Sequence, residues 1–250
     1  MKNDSERALE ALLSSGWLQA AYWSPEVDST NSWARRDLNQ VALPALFVAD
    51  RQTAGRGRSQ NQWWSPAGCL MLTLVVPASE APLSPEQQPL LALQVGIAVA
   101  ETVEHIVEPN LRGGLAHVQL KWPNDVYCAG KKLSGVLIET ARKSSGDGAW
   151  LVGIGVNLNV DFALAPSDVR AKATSLLEQT GAEIDQPSAL VELIENLQSQ
   201  IESWRDDLPW LDRWSDRCML AGKVVHLRTP SGEIVGRCEG VDSTGKLLVR

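Results

Sequence analysis

The chain has 250 residues and a net charge of −7. That length can bury a substantial core and favours one large domain, or one large and one small; the acidic balance argues against nucleic-acid binding, which calls for a basic face, so no DNA partner is expected. No basic leader precedes an apolar segment and no uninterrupted apolar run is long enough to span a bilayer, so a cytoplasmic protein with no membrane partner is expected.

Cys69, Cys128, Cys218 and Cys238 form no CxxC pair, and His105, His117 and His226 are equally scattered. There is no HExxH and no serine in a GxSxG elbow. This pattern disfavours a protein-held metal, a disulfide framework and triad hydrolysis.

In chain order, "SERALEALLSS" (5–15) predicts a helix ended by Gly16, and the leader of 26 residues is too short for a helix-turn-helix domain. "VDSTNSWARR" (27–36) sets Ser29, Thr30 and Asn31 at a helix start, where capping accounts for one of the three. "ALFVADRQ" (45–52) and "CLMLTLVVP" (69–77) predict strands. Between them hangs "GRGRSQNQWWSP" (55–66), in which glycines free the backbone, Arg56 and Arg58 offer planar forks of donors, and Trp63 and Trp64 add aromatic surface. The stretch reads as a loop for gripping an anion; a solvated surface loop is the plain alternative for "GRGR" alone. It is not a dinucleotide fingerprint, because Gln60 stands where GxGxxG requires glycine.

Ser84, Pro85 and Gln87 resemble a capping box opening a helix that runs to about 107. "VQLKWPNDVYCAGKKLSGVLIETAR" (118–142) and "AWLVGIGVNLNV" (149–160) predict strands with turns at Ala129-Gly130 and Gly146-Asp147-Gly148. The first puts Asn124 and Asp125 at a strand tip, where they either serve a ligand or bond their own backbone. It also sets Lys131 and Lys132 just before an apolar strand, so that one lysine is drawn inward. "GIGVNLN" places glycines beside Asn157. A helix over about 188–205 shows one apolar face of Leu190, Leu193, Ile194, Leu197, Ile201 and Trp204. From Cys218 the texture becomes that of a small all-β module, in which "GVDSTGKL" reads as a hairpin turn rather than a P-loop because Leu247 replaces the required Ser or Thr. The mixture of helix and strand runs is α+β.

Taken in order, "DSTN", "DRQTAGRGR", "WWSPAG", "KWPNDV", "KKLSGVLIE" and "GIGVNLN" resemble the biotin protein ligases. The resemblance covers about 27–160, and the residues after about 218 look like the SH3-like module those enzymes carry. It implies a central mixed β-sheet flanked by helices over 1–216 and a small β domain over 217–250. It also implies two-step chemistry, in which biotin and MgATP give biotinyl-5′-AMP and the adenylate acylates a lysine of the biotin carboxyl carrier domain of acetyl-CoA carboxylase.

By position in those motifs, Arg58 and Lys132 would neutralise the carboxylate and phosphate, and Arg56 would order the loop. Ser29, Thr30, Asn31 and Gln52 would bond the biotin ureido ring, with Gly57 and Gly135 alongside. Trp63 would cover the adenine, Lys121, Asn124 and Asn157 would contact the nucleotide, and Asp125 would orient or deprotonate the acceptor amine. Mg²⁺ is expected with ATP and without protein ligands. Ser59 and Gln60 stand where many relatives carry a further basic residue and glycine, which bears on lid ordering. A homodimer is compatible with this pattern. The competing readings are a lipoate ligase, which shares the chemistry but lacks this combination of motifs, a non-catalytic biotin-binding protein, and a biotin-sensing repressor, which would need an N-terminal DNA-binding domain.

Overall fold

The computed structural model describes residues 4–58, 61–80, 83, 87–107, 117–203, 210–229 and 232–250. Helix α1 (Asp4–Ser14) is followed by β1 (Ala20–Ser24), α2 (Thr30–Asp37), β2 (Ala45–Ala49), β3 (Cys69–Pro77) and α3 (Gln88–Val107). Four antiparallel strands come next, β4 (Val118–Lys121), β5 (Asp125–Cys128), β6 (Lys131–Arg142) and β7 (Gly148–Asn157). Then follow α4 (Ser167–Arg170), α5 (Leu176–Thr180), α6 (Gln186–Ser203) and α7 (Trp210–Ser215), and the chain closes with β8 (Val224–Thr229), β9 (Gly232–Val241) and β10 (Leu247–Val249).

The first seven strands form one mixed sheet, ordered β1-β2-β3-β7-β6-β5-β4. The β1–β2 pair is parallel, connected through α2, and the other neighbouring pairs are antiparallel. Because strand side chains alternate between faces, β3 sends Leu70, Leu72, Leu74 and Val76 into a core with α1, α3 and α6, and sends Cys69, Met71, Thr73 and Val75 to the other face. Both faces are covered, which is why "CLMLTLVVP" is continuously apolar instead of alternating. The apolar stretch Pro89–Val107 of α3 is long and apolar enough to cross a membrane by length and composition, yet 78% of it is buried inside this fold. It is the central core helix.

The second face is covered unevenly. At one end α2 packs Ala34 and Leu38 on Phe47, Val75 and Leu151. At the other, Val160, Phe162 and Ala165 pack on Cys69 and Met71. Between these two small cores lie Thr73, Gly153 and Gly155, with Thr73 paired to Gly153 and Met71 to Gly155. That gap is the candidate site.

The sequence-based elements differ from the structure in a few places. β1 was not anticipated, because "AAYWS" is a short edge strand with little alternation. β2 ends at Ala49 instead of 52, since Gln52 leaves the ladder to bridge Val27. Helix α3 is described from Gln88, so the expected capping box at Ser84 and Pro85 lies outside the described residues, as does Trp204 of the second helix face. The turns at Ala129-Gly130 and Gly146 have the positive φ angles that tight hairpins require. The last three strands form an antiparallel sheet, with "GVDSTGKL" as the β9–β10 turn, consistent with an SH3-like module.

Gly68, just before β3, has φ of +91°, and a Cβ there would lie 2.3 Å from the Asn159 carbonyl oxygen. Replacing it with alanine combines a disfavoured backbone angle with a backbone clash. Gly68→Ala is expected to cost more than about 1 kcal/mol in urea unfolding, and a change within error of zero would show that this approach of the two segments is not fixed.

Candidate functional site

The site begins with the start of α2. Ser29 occupies the N-cap position but makes no side-chain capping bond. The Thr30 backbone N–H instead donates to Gln52 Oε1 at 2.8 Å, and the Ser29 N–H donates to Asp28 Oδ1 at 2.8 Å. Arg36 grips Asp28 through both guanidinium nitrogens, at 2.6 and 3.0 Å, and its donors hold that carboxyl below the usual carboxylate range. Capping thus accounts for none of the three "STN" side chains, and all three line a cavity of about 150 Å³.

These side chains form a buried polar relay. Thr73 Oγ1 lies 2.6 Å from Asn31 Oδ1 and 2.9 Å from Thr30 Oγ1. Thr30 Oγ1 is 3.2 Å from Gln52 Oε1, and Gln52 Nε2 donates to Ser65 Oγ at 3.2 Å. Ser65 Oγ in turn donates to the Trp63 carbonyl at 3.2 Å. At the other end, Asn31 Nδ2 donates to Glu139 Oε2 at 2.8 Å, and the same oxygen accepts from Arg56. Asn31 fits only because position 153 is glycine; a Cβ there would sit 2.2 Å from Asn31 Oδ1.

The Gly-Arg loop closes over this relay. Gly57 N–H donates to Asn61 O at 2.7 Å and Trp63 N–H to Gly55 O at 2.9 Å, folding the loop on itself. Trp63 lays its indole on the sheet, where a Cβ at Gly155 would come within 2.7 Å of the ring and one at Gly135 within 3.3 Å. Its Nε1 is buried without a hydrogen-bond partner.

Lys132 approaches the same ring, with Nζ 5.5 Å from its centroid, and pairs with Asp125 Oδ1 at 2.6 Å. The contact is ionic without the alignment of a hydrogen bond, since Oδ1 has no partner meeting that geometry. A bulge explains how Lys132 gets there. Tyr127 pairs with Lys132 and Val126 with Ser134, so Leu133 is the extra residue and Lys132 shares the face of Gly135. Lys131 stays exposed.

A second cavity of about 1010 Å³ lies across the loop, lined by Arg51, Trp64, Asn157, Phe162, Asp168 and Lys172 among others. Gln52, Trp63 and Lys132 line both cavities. The wall between them therefore carries a cation and an aromatic ring.

The structure brings together Ser29, Thr30, Asn31, Gln52, Arg56, Gly57, Arg58, Trp63, Asn124, Asp125, Lys132 and Gly135 around the first cavity. Arg58 is exposed, and Ser59 and Gln60 after it lie outside the described residues. Asn124 also holds the strand tip, donating to Val136 O at 2.6 Å. Asn157 lines the second cavity, with Nδ2 on Thr174 O at 3.0 Å and Oδ1 facing Cys69 Sγ at 3.3 Å; burial pushes that thiol up to about 12. Lys121 lines neither cavity and instead donates to Tyr127 OH at 3.2 Å. Sequence reasoning missed Thr73, Glu139 and Ser65, and it placed the "GIGVNLN" glycines only beside Asn157, whereas Gly153 makes room for Asn31. The signal for Thr73 was present, a lone polar residue inside an apolar strand. Among the described residues, no group of three or more His, Cys, Asp and Glu side chains could hold a metal ion.

A small polar pocket thus shares a cationic wall with a larger one that carries Trp64 and Phe162, an arrangement suited to bringing two anionic molecules together. Residues 23–159 match the biotin/lipoate A/B protein ligase family. The chain is 32% identical over 240 residues to a biotin–[acetyl-CoA-carboxylase] ligase of Mycobacterium tuberculosis, covering 94% of this chain and 84% of that protein. It is 31% identical over 228 residues to the bifunctional ligase/repressor BirA of Salmonella typhimurium, covering 90% of this chain and 68% of that one. Among solved structures it superposes with a TM-score of 0.79 on the biotin protein ligase of Aquifex aeolicus in complex with biotin and ATP, at 30% identity, covering 93% of this chain and 92% of that one. The chain belongs to the biotin/lipoate A/B protein ligase family and, within it, is a ligase enzyme of the biotin protein ligase type.

The relay offers a test independent of ligand. Thr73 is fully buried, and its hydroxyl serves Asn31 and Thr30 at once. The nearly isosteric Thr73→Val should cost about 1–3 kcal/mol in urea unfolding by stranding the Asn31 carbonyl; a loss below about 0.5 kcal/mol would mean the relay is not a buried constraint.

Proposed function

We propose that the protein binds biotin in the first cavity and MgATP in the second, joins them as biotinyl-5′-AMP, and transfers the biotinyl group to a lysine of a biotin carboxyl carrier domain of acetyl-CoA carboxylase. The observation that carries the reading is Lys132, a cation standing in the wall shared by two cavities. A cyclic urea has donors and an acceptor that need partners once buried, and Ser29, Thr30, Asn31 and Gln52 provide both kinds. The aromatic lining of the second cavity suits a nucleobase. The similarity to a biotin–[acetyl-CoA-carboxylase] ligase and to a biotin protein ligase in complex with biotin and ATP supports the same assignment.

In the first step a biotin carboxylate oxygen bonds to the α-phosphorus as the bond to pyrophosphate breaks. Both reactants are anions, so the cost of bringing them together falls on fixed cations in a site drier than water. Lys132 already faces one carboxylate, that of Asp125, and it exchanges that partner for the incoming anions while Arg58 closes from the loop. Asp125, released, is then placed to hold the acceptor ammonium and take its proton. The amine, with a reference pKa of about 10.4, is nearly all protonated at neutral pH. It attacks the acyl carbon and AMP leaves. Mg²⁺ enters as part of the substrate, ligated by the ATP phosphates.

The test is biotin-dependent exchange of labelled pyrophosphate into ATP, with lipoate run beside it, followed by transfer of biotin to a carrier domain. Lys132→Ala should keep the fold and lose ~10²–10³ of the exchange rate. Near-normal exchange in that variant would remove Lys132 from the chemistry, and exchange driven by lipoate in place of biotin would reassign the substrate.

A further inference from the structure

Glu139 has no role in the chemistry just described, yet it is where the Gly-Arg loop, α2 and the sheet meet. It lies on β6 on the same face as Gly135 and Leu137, with its side chain 23% exposed. One carboxylate oxygen accepts from both Arg56 of the loop and Asn31 Nδ2 of α2, and the other lies 3.6 Å from Arg35. An isolated surface ion pair contributes little. This one is shared with an amide that is itself only 3% exposed, so it joins an outer loop to the buried relay.

A carboxylate can only accept hydrogen bonds. Asn31 must therefore turn its NH₂ toward Glu139 and its oxygen toward Thr73, and the Thr73 proton points to that oxygen. Orientation then passes along the relay to Thr30 and Gln52. The Arg56 contact meanwhile ties the loop, whose Arg56, Gly57 and Arg58 line the cavity, to the sheet.

We propose that Glu139 is a positioning residue that latches the Gly-Arg loop shut through Arg56 and sets the donor and acceptor order of the pocket through Asn31. The inference rests on the biotin reading of that pocket. Removing the latch takes a wall away from bound substrate and transition state alike, so the loss falls on KM and spares kcat.

The experiment measures KM for biotin and kcat in pyrophosphate exchange for wild type, Glu139→Gln, Arg56→Met and the double variant. Glutamine keeps the shape but can offer a donor where glutamate cannot. Arg56→Met breaks the same contact from an exposed side chain without touching the sheet. Glu139→Gln should raise KM about tenfold or more and Arg56→Met about tenfold, each leaving kcat within about threefold, and the double should be no worse than Glu139→Gln alone, because the contact with Arg56 is already lost there. An unchanged KM in Glu139→Gln, effects that multiply in the double, or a loss confined to kcat would overturn the latch. A wild type without biotin-dependent exchange would instead remove the pocket reading on which the latch depends; an active wild type with an unchanged Glu139→Gln would remove the latch alone.

Discussion

Everything at this site depends on space left vacant on one face of a buried sheet. Gly135, Gly153 and Gly155 occupy adjacent positions on β6 and β7, paired across the ladder as Gly135 with Gly155 and Leu137 with Gly153. Any side chain at 153 or 155 would collide with Asn31 or with the Trp63 ring. Glycine within a strand gives up packing and conformational entropy, and here two apolar cores pack on the sheet on either side of the glycines. The polar relay can then run through the interior with its groups paired to one another.

The charged half of the site follows from a single extra residue. Without the bulge at Leu133, the two-residue alternation of β6 would place Lys132 on the face opposite Gly135, among the apolar side chains of the main core. With it, a partly buried lysine meets a carboxylate and an aromatic ring. A buried ion pair is weak evidence for stability, because desolvation consumes most of the attraction. Its value here is that an anionic ligand can substitute for Asp125 without leaving Lys132 unpaired.

Much of this was legible in the sequence. The central strands, the long core helix, the hairpin turns and the final β module followed from periodicity and turn residues, and "GRGR", "KWPND" and "KKLSG" fell around one cavity. What could not be read was connection across the chain. Glu139 is 83 residues from Arg56 and 108 from Asn31, and no local pattern announces such a meeting. Capping is expected for one of "STN" because local bonding is an ordinary use of those residues, whereas Gln52, 22 residues on from Thr30, takes the helix N–H. Lys121 shares a motif with Asn124 and Asp125 and pairs with Asp125 across the ladder, yet it lines neither cavity, because β4 is the edge strand and its amine is taken up by Tyr127 OH.

The most direct measurement is a crystal structure with biotin and a non-hydrolysable ATP analogue bound together. The account predicts the ureido ring against Thr30, Asn31 and Gln52, the adenosine in the cavity lined by Trp64, Asn157 and Phe162, and Lys132 within hydrogen-bond reach of both the biotin carboxylate and the α-phosphate. Both ligands in one cavity, or Lys132 still paired with Asp125 and out of reach of either anion, would contradict it.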